Sequence, residues 1–285
     1  MSASIPEPLA SFEDKWASAH RELPLALAFI GGSERALHSA FACLTCEIEA
    51  VVFAITDPEP AAVKLEWWVR ELGRLAEGKP EHPLTRILVS RRDALAPTIP
   101  ACQDAMIRAG MDRSTAPAPD GAALVDAYRS FHTPFAAALA ALFPVLDAQA
   151  CASVMALSRL SHDVLGYGAD TASRSFPFPM DLLARHRLTR ADLAGTSPAA
   201  MAAVREWLVD LAANWSATVG VQARTGPWLA AVASAVRWRV TRASRRSMPR
   251  ANCPRLLARV PARAVFAAWR SARRMHIRVD ELHLS

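Results

Sequence analysis

The sequence predicts an all-α protein, a single-domain helical bundle over residues 1–285. Three observations predict it. Alanine, leucine and arginine, all strong helix formers, dominate a chain that is 52% hydrophobic. No segment shows the period-two alternation of a half-buried strand. Proline, glycine and aspartate cut the chain into about a dozen helix-sized pieces with short connections. A chain of 285 residues is long enough to bury a large core.

Each element follows from its punctuation. A first helix is expected over 9–20 and a second over 23–30, stopped by Gly31 and Gly32. Ser33 reads as an N-cap with Glu34 in the first turn, opening a long helix over 33–55. Asp57-Pro58 ends it and starts the next, over 58–77, which Gly78 closes. Helices over 83–96 and 100–110 come next, and 111–120, rich in Ser, Pro, Thr and Asp, is the clearest loop. A long apolar helix over 122–142 contains Pro134, and Asp147 caps another that reaches Leu165. The stretch 166–179 should be irregular. Helices over 180–187, 190–194, 198–223, 228–245 and 251–274 complete the set.

Charge is unevenly distributed. The net charge is +6, yet the segment between Asp210 and Asp280 holds fourteen arginines and neither an acid nor a lysine. The remainder is net negative. The basic part, about 211–279, predicts an anionic partner that meets residues such as Arg237, Arg242, Arg245 and Arg246. Arg239 and the other arginines of this part belong to the same run, some solvating outer faces and some neutralised by acids from the N-terminal part. No helix-turn-helix signature, zinc knuckle or aromatic strip accompanies the charge, which argues against nucleic acid. The five cysteines are irregularly spaced and imply no disulfide framework. The first residues lack the order of a secretory signal, and the longest apolar run, 135–146, is interrupted by Pro144. The expected location is cytoplasmic, with peripheral association at the inner membrane face.

Three segments carry a resemblance. The first is Lys64-Leu65-Glu66-Trp67-Trp68, preceded by Asp57-Pro58 and followed by Leu72 and His82-Pro83-Leu84. The second is Phe178-Pro179 with Leu182-Leu183-Ala184-Arg185-His186 and Leu188. The third is Arg263-Ala264-Val265-Phe266-Ala267-Ala268-Trp269-Arg270. Taken in order, these resemble the squalene/phytoene synthase family, and the Trp-Trp segment looks closer to a divergent phytoene-synthase-like branch, which includes a mitochondrial assembly factor for respiratory complex I, than to the carotenoid enzymes.

The resemblance implies an isoprenoid synthase fold and a prenyl diphosphate or prenyl lipid as ligand. In the family, two Asp-x-x-x-Asp motifs on facing helices hold Mg²⁺, which draws off diphosphate while two prenyl chains join head to head. Residues four apart share a helix face, which is why that spacing suits one metal site. This chain departs from both motifs. In the first, the acids are Glu47 and Glu49, roughly 200° apart around a helix, with Val51 four residues beyond Glu47. In the second, Asp170 matches the later aspartate and Gly166 replaces the earlier one. Asp163 lies roughly 10 Å further back along a continuous helix. Glu47, Asp163 and Asp170 are therefore the candidate remnant metal ligands, and head-to-head condensation is expected to be weakened or lost.

Plainer roles stand beside these. Cys43 and Cys46, three apart in mid-helix, suit core positions better than a zinc or redox site. Glu47 suits a structural acid paired with a neighbouring basic residue, and Asp163 an ion pair with Arg159 four residues earlier. Trp67 and Trp68 are adjacent, so one packs inside and the other lines a cavity or seam. Three functional readings remain: a non-condensing prenyl-lipid binder, an active Mg²⁺-dependent prenyltransferase, and a non-enzymatic assembly factor or membrane-surface adaptor with a protein partner.

Overall fold

The computed structural model describes residues 7–112, 118–167, 176–218, 224–245 and 252–283. Fifteen α-helices and no strand occur among them. In chain order they are α1 Glu7–Ala19, α2 Glu22–Leu27, α3 Gly32–Glu49, α4 Pro58–Glu77, α5 Pro83–Leu88, α6 Arg92–Leu95, α7 Ile99–Asp112 and α8 Gly121–Leu142. Then come α9 Ala148–Gly166, α10 Met180–His186, α11 Arg190–Ala194, α12 Pro198–Ala217, α13 Gly226–Ala243, α14 Cys253–Leu257 and α15 Ala262–His283. The strand-free prediction holds among the described residues.

Several boundaries fall where side-chain chemistry puts them. The Asp57 carboxylate accepts from the Glu59 N–H, Pro58 needs no helical donor at the first position, and Gly78 ends α4 at a left-handed φ of 80°. Asp147 caps α9 by accepting from the Ala150 N–H. Three expectations are corrected. Gly31, not Ser33, is the N-cap of α3, with no side-chain bond. The expected helix over 83–96 is broken into α5, α6 and 3₁₀ turns at Val89–Arg91 and Ala96–Thr98, the latter containing Pro97. The expected helix over 251–274 is divided into α14 and α15 at Pro261, which lacks an N–H and disfavours helical geometry at Val260. Of the expected loop over 111–120, residues 113–117 lie outside the described residues and 111–112 still belong to α7, while most of the expected irregular stretch over 166–179 lies outside them.

One hydrophobic cluster runs from Leu9 to Ala268 and unites the helices. Its framework is α8 lying along α9, and α13 lying along α15 while also touching α2, α9 and α12. α4 packs on α7, close enough that a Cβ on Gly110 would sit 2.4 Å from Leu65. The helix from Glu34 to Ala54 is long and apolar enough to cross a bilayer, and 72% of that window is buried inside the protein. Its apolarity is used as core.

α3 does not end as a regular helix. A π-helical turn, Ala50–Ala54, succeeds Glu49 directly. Such turns insert a residue and rotate the side chains beyond it around the axis. Here Phe53 comes to lie parallel to Tyr128 and under the Arg159 guanidinium, 5.1 Å from its ring centre.

Candidate functional site

Helices α2, α3, α9, α13 and α14 line a cavity of about 40 Å³, with Glu22, Glu49, Arg159, His162 and Arg239 on its wall together with His20. A cavity of that size holds a few water molecules, whereas organic ligands occupy several hundred Å³. The charged groups Glu22, Glu49, Arg159 and Arg239 on its wall are each held in an ion pair.

Arg159 is the centre of the arrangement. It donates to Asp163, one turn later on α9, at 2.7 Å and lies 4.0 Å from Glu49 on α3. Tyr128 on α8 donates its hydroxyl to Asp163 at 2.7 Å. Glu49 also sits 3.0 Å from His132 Nε2, while His132 Nδ1 lies 2.7 Å from the Tyr128 carbonyl. Both ring nitrogens face oxygen atoms, so the imidazole is held between Glu49 of α3 and the backbone of α8. Burial alone would raise the Glu49 carboxyl, but the His132 hydrogen bond and the His132 and Arg159 charges hold it below the usual range. Burial likewise opposes ionisation of Asp163, and Arg159 first, then His162 and Tyr128, hold it low. Arg159 is itself held more firmly protonated: burial works against it, and Asp163 and Glu49 overcome burial. His20 is pushed down to about 4, by burial first and by His162 next. A second buried pair closes the cavity: Arg239 donates through both terminal nitrogens to Glu22, at 3.3 and 2.9 Å, and through Nε to the Arg259 carbonyl at 3.1 Å.

The expected site residues fall in different places. Glu47 faces α1, where it accepts from the Trp16 indole at 2.9 Å and from Lys15. Asp163 joins the Arg159 cluster, and Asp170 lies outside the described residues. Glu47 and Asp163 share no partner among these contacts. Sequence reasoning passed over Glu49, which reaches the cavity and meets Asp163 through Arg159. The signal for it was tertiary: His132 is 83 residues away in sequence. Trp68 is buried and Trp67 half-buried, their rings edge-to-face at 5.0 Å and both near His82. His82 caps α5, its Nδ1 accepting from the Leu84 N–H. Cys43 and Cys46 are core residues, and burial pushes the Cys43 thiol up to about 12. Arg242 and Arg245 are exposed and Arg237 half-buried, whereas Arg246 lies outside the described residues. Arg239 is not on the surface with them, since Glu22 holds it inside.

Mg²⁺ needs oxygen ligands free to coordinate it, usually one or two carboxylates plus waters. No group of three or more acidic, histidine or cysteine side chains positioned for a metal occurs among the described residues. The acids nearest the cavity are already met by guanidinium, imidazole and phenol groups. The described residues do not fit a Mg²⁺ site.

No family model and no curated protein sequence matches the chain. Solved structures do. A dehydrosqualene synthase in complex with a ligand aligns with a TM-score of 0.63 and 13% identity over 88% of this chain and 94% of that one. Squalene synthase HpnC from Alicyclobacillus acidocaldarius aligns with a TM-score of 0.57 and 14% identity over 90% of this chain and 94% of that one. Identity this low speaks for architecture alone. The chain has the all-α isoprenoid synthase fold that these squalene and dehydrosqualene synthases share.

Proposed function

We propose that this chain is a squalene synthase-like protein that has given up head-to-head condensation. The observation that carries the reading is Arg159, a fixed cation standing between the carboxylates of α3 and α9. A guanidinium there neutralises both acids permanently, so neither is left to hold a metal that must be loaded with substrate. The small cavity supports the same reading, because a prenyl chain needs several times that space. On this reading any prenyl diphosphate or prenyl lipid is bound outside that cavity and is not condensed, and the protein acts through its surface, as an adaptor or assembly factor.

One observation favours the rival, an active Mg²⁺-dependent prenyltransferase: Glu49 and Asp163 come from two different helices and meet at one point. The two readings part in one experiment. Purified protein is incubated with labelled farnesyl or geranylgeranyl diphosphate and Mg²⁺, and extracts are searched for a head-to-head product. No product from folded protein is expected. A product that disappears in Glu49→Gln or Asp163→Asn would overturn the proposal.

A further inference from the structure

The C-terminal third carries a second polar site, remote in character from the paired cluster of the interior. The end of α13, the turn before α15 and the first turn of α15 enclose a pocket of about 220 Å³. Arg242, Arg245, Arg259 and Arg263 line it with Trp238 and Thr241, and no acid among the described residues does. All four arginines are exposed, and no ion pair among the described residues involves any of them. This contrasts with Arg239, Arg159 and Arg224 of the same protein, each of which has a carboxylate. Four guanidinium groups converging without a counter-charge repel one another. Burial first, and Arg237 next, make the Arg263 guanidinium easier to deprotonate than usual. That repulsion is relieved by an anion, and the planar guanidinium fork suits phosphate oxygens in particular.

The surface continues along α15. Arg263, Phe266, Arg270 and Arg273 recur at helical spacing on its outer side, while Ala264, Ala268 and Ala272 are buried on the other. Phe266 is 50% exposed and Trp269 39% exposed, their rings 5.3 Å apart. Arg270 lies over Phe266 at 4.6 Å and Arg273 over Trp269 at 5.4 Å. Exposed aromatics interleaved with arginines are the composition of a helix that lies at a bilayer surface. The rings enter the headgroup layer and the guanidinium stems turn back to phosphate. An acidic protein face would satisfy the arginines but offers no reason for two aromatic rings to stand exposed between them.

We propose that the α13–α15 face docks on an anionic phospholipid bilayer, with a headgroup phosphate seated in the pocket of Arg242, Arg245, Arg259 and Arg263 and with Phe266 and Trp269 in the interface. None of these six side chains belongs to the paired cluster of the bundle interior, which meets only the backbone carbonyl of Arg259, so docking and condensation stand or fall separately. The test is co-sedimentation with vesicles of phosphatidylcholine alone and of phosphatidylcholine mixed with phosphatidylglycerol. Binding to the mixed vesicles only, reversed by high salt, is expected. Each arginine near such a surface changes partitioning roughly five-fold, so Arg242→Gln with Arg245→Gln should weaken binding about twenty- to thirty-fold. Phe266→Ser with Trp269→Ser should weaken it separately, leaving a residual that is wholly salt-sensitive. These side chains are exposed, and unchanged helical circular dichroism will show that both variants fold. Four results would overturn the proposal: equal binding to both vesicle types, no binding to either, a double arginine variant that sediments like the parent, or mixed-vesicle binding abolished by low millimolar inorganic phosphate. The last would assign the pocket to a free phosphate compound.

Discussion

Arg159 and Asp163 lie one turn apart on α9, and their 2.7 Å contact is buried, with Glu49 approaching the same guanidinium from α3 at 4.0 Å. Replacing the arginine removes the charge shared by two enclosed carboxylates, leaving Asp163 with the Tyr128 hydroxyl and Glu49 with His132. Arg159→Met should destabilise the fold by about 3–5 kcal/mol, the range for breaking a buried ion pair. It should also create what the parent lacks, two acids facing each other with no guanidinium between them. Mg²⁺ should then raise the melting temperature of the variant and leave the parent unchanged. Thermal melts with and without MgCl₂ decide it, and an equal response of both proteins would count against the role given to Arg159.

Glu22 and Arg239 are the most enclosed ion pair described, with side chains 2% and 3% exposed. Glu22→Ala leaves the guanidinium uncompensated and should cost about 3–5 kcal/mol. Glu22→Leu combined with Arg239→Met should cost far less than the two single changes added together, because the desolvation penalty leaves with the charges. Urea denaturation of the four proteins closes the cycle.

Stability should fall as the solution is acidified from neutrality, before ordinary carboxylates titrate. His20 is depressed to about 4 and His38, buried and stacked on Phe143 at 3.6 Å, to about 3. Burial is the leading cause for both. In the unfolded chain both take up a proton near pH 6.5, while the folded protein refuses it, so unfolding is favoured progressively below about pH 6.5. The loss continues until the folded values are reached. The depressed carboxyls of Glu49 and Asp163 add their own loss at lower pH, where the unfolded acids protonate first. Denaturation midpoints compared at about pH 7.5 and about pH 5 should show the fall, and His38→Leu should make it shallower.

Glu71 on α4 is fully buried and accepts from the backbone N–H of Glu81 at 2.9 Å, from that of His82 at 2.8 Å and from the Thr85 hydroxyl. It thereby fastens the turn before α5. Glu71→Ala should cost about 2–4 kcal/mol, and Glu71→Gln less, since an amide oxygen still accepts. Amide exchange at Glu81 and His82 should accelerate more than exchange elsewhere in α4.

All five cysteines are buried, and burial drives the thiols of Cys43, Cys102 and Cys151 up to about 12. Native protein near pH 8 should resist iodoacetamide, and all five should react once it is unfolded. Mass spectrometry of labelled protein will count them. Rapid native labelling of Cys43 or Cys46 would revive a redox reading of that pair.

The fold was legible because helix content is written locally. The Asp57-Pro58 start and Gly78 stop of α4, and the Asp147 cap of α9, work through contacts within four residues, so one stretch of sequence states them fully. Where reading failed, the deciding term was elsewhere. Ser33 has the chemistry of a cap, but the helix begins a residue before it, behind the N-cap Gly31. The breaks between α5 and α7 place several short apolar segments against α4 and α8, which spacing alone does not reveal. The candidate site was legible only as far as Arg159 and Asp163, a pair at helical spacing. Glu49 was discounted because a partner was sought on its own helix, whereas its partners His132 and Arg159 come from α8 and α9. The basic C-terminal part was plain from composition. Which of its arginines face out was not, since Arg237, Arg239 and Arg242 alternate between partial exposure, burial and exposure on one helix.

The Glu22–Arg239 contact joins residues 217 positions apart. A ribosome adding roughly 5–20 residues per second makes Arg239 about ten to forty seconds after Glu22. Throughout that interval the nascent chain carries α2 with its acid and apolar face but without α13, the helix that covers them. The N-terminal helices therefore cannot complete their burial vectorially, and the molecule closes only when its last third emerges. A chain stalled before that point should be a substrate for holding chaperones and proteases, however well its early helices form.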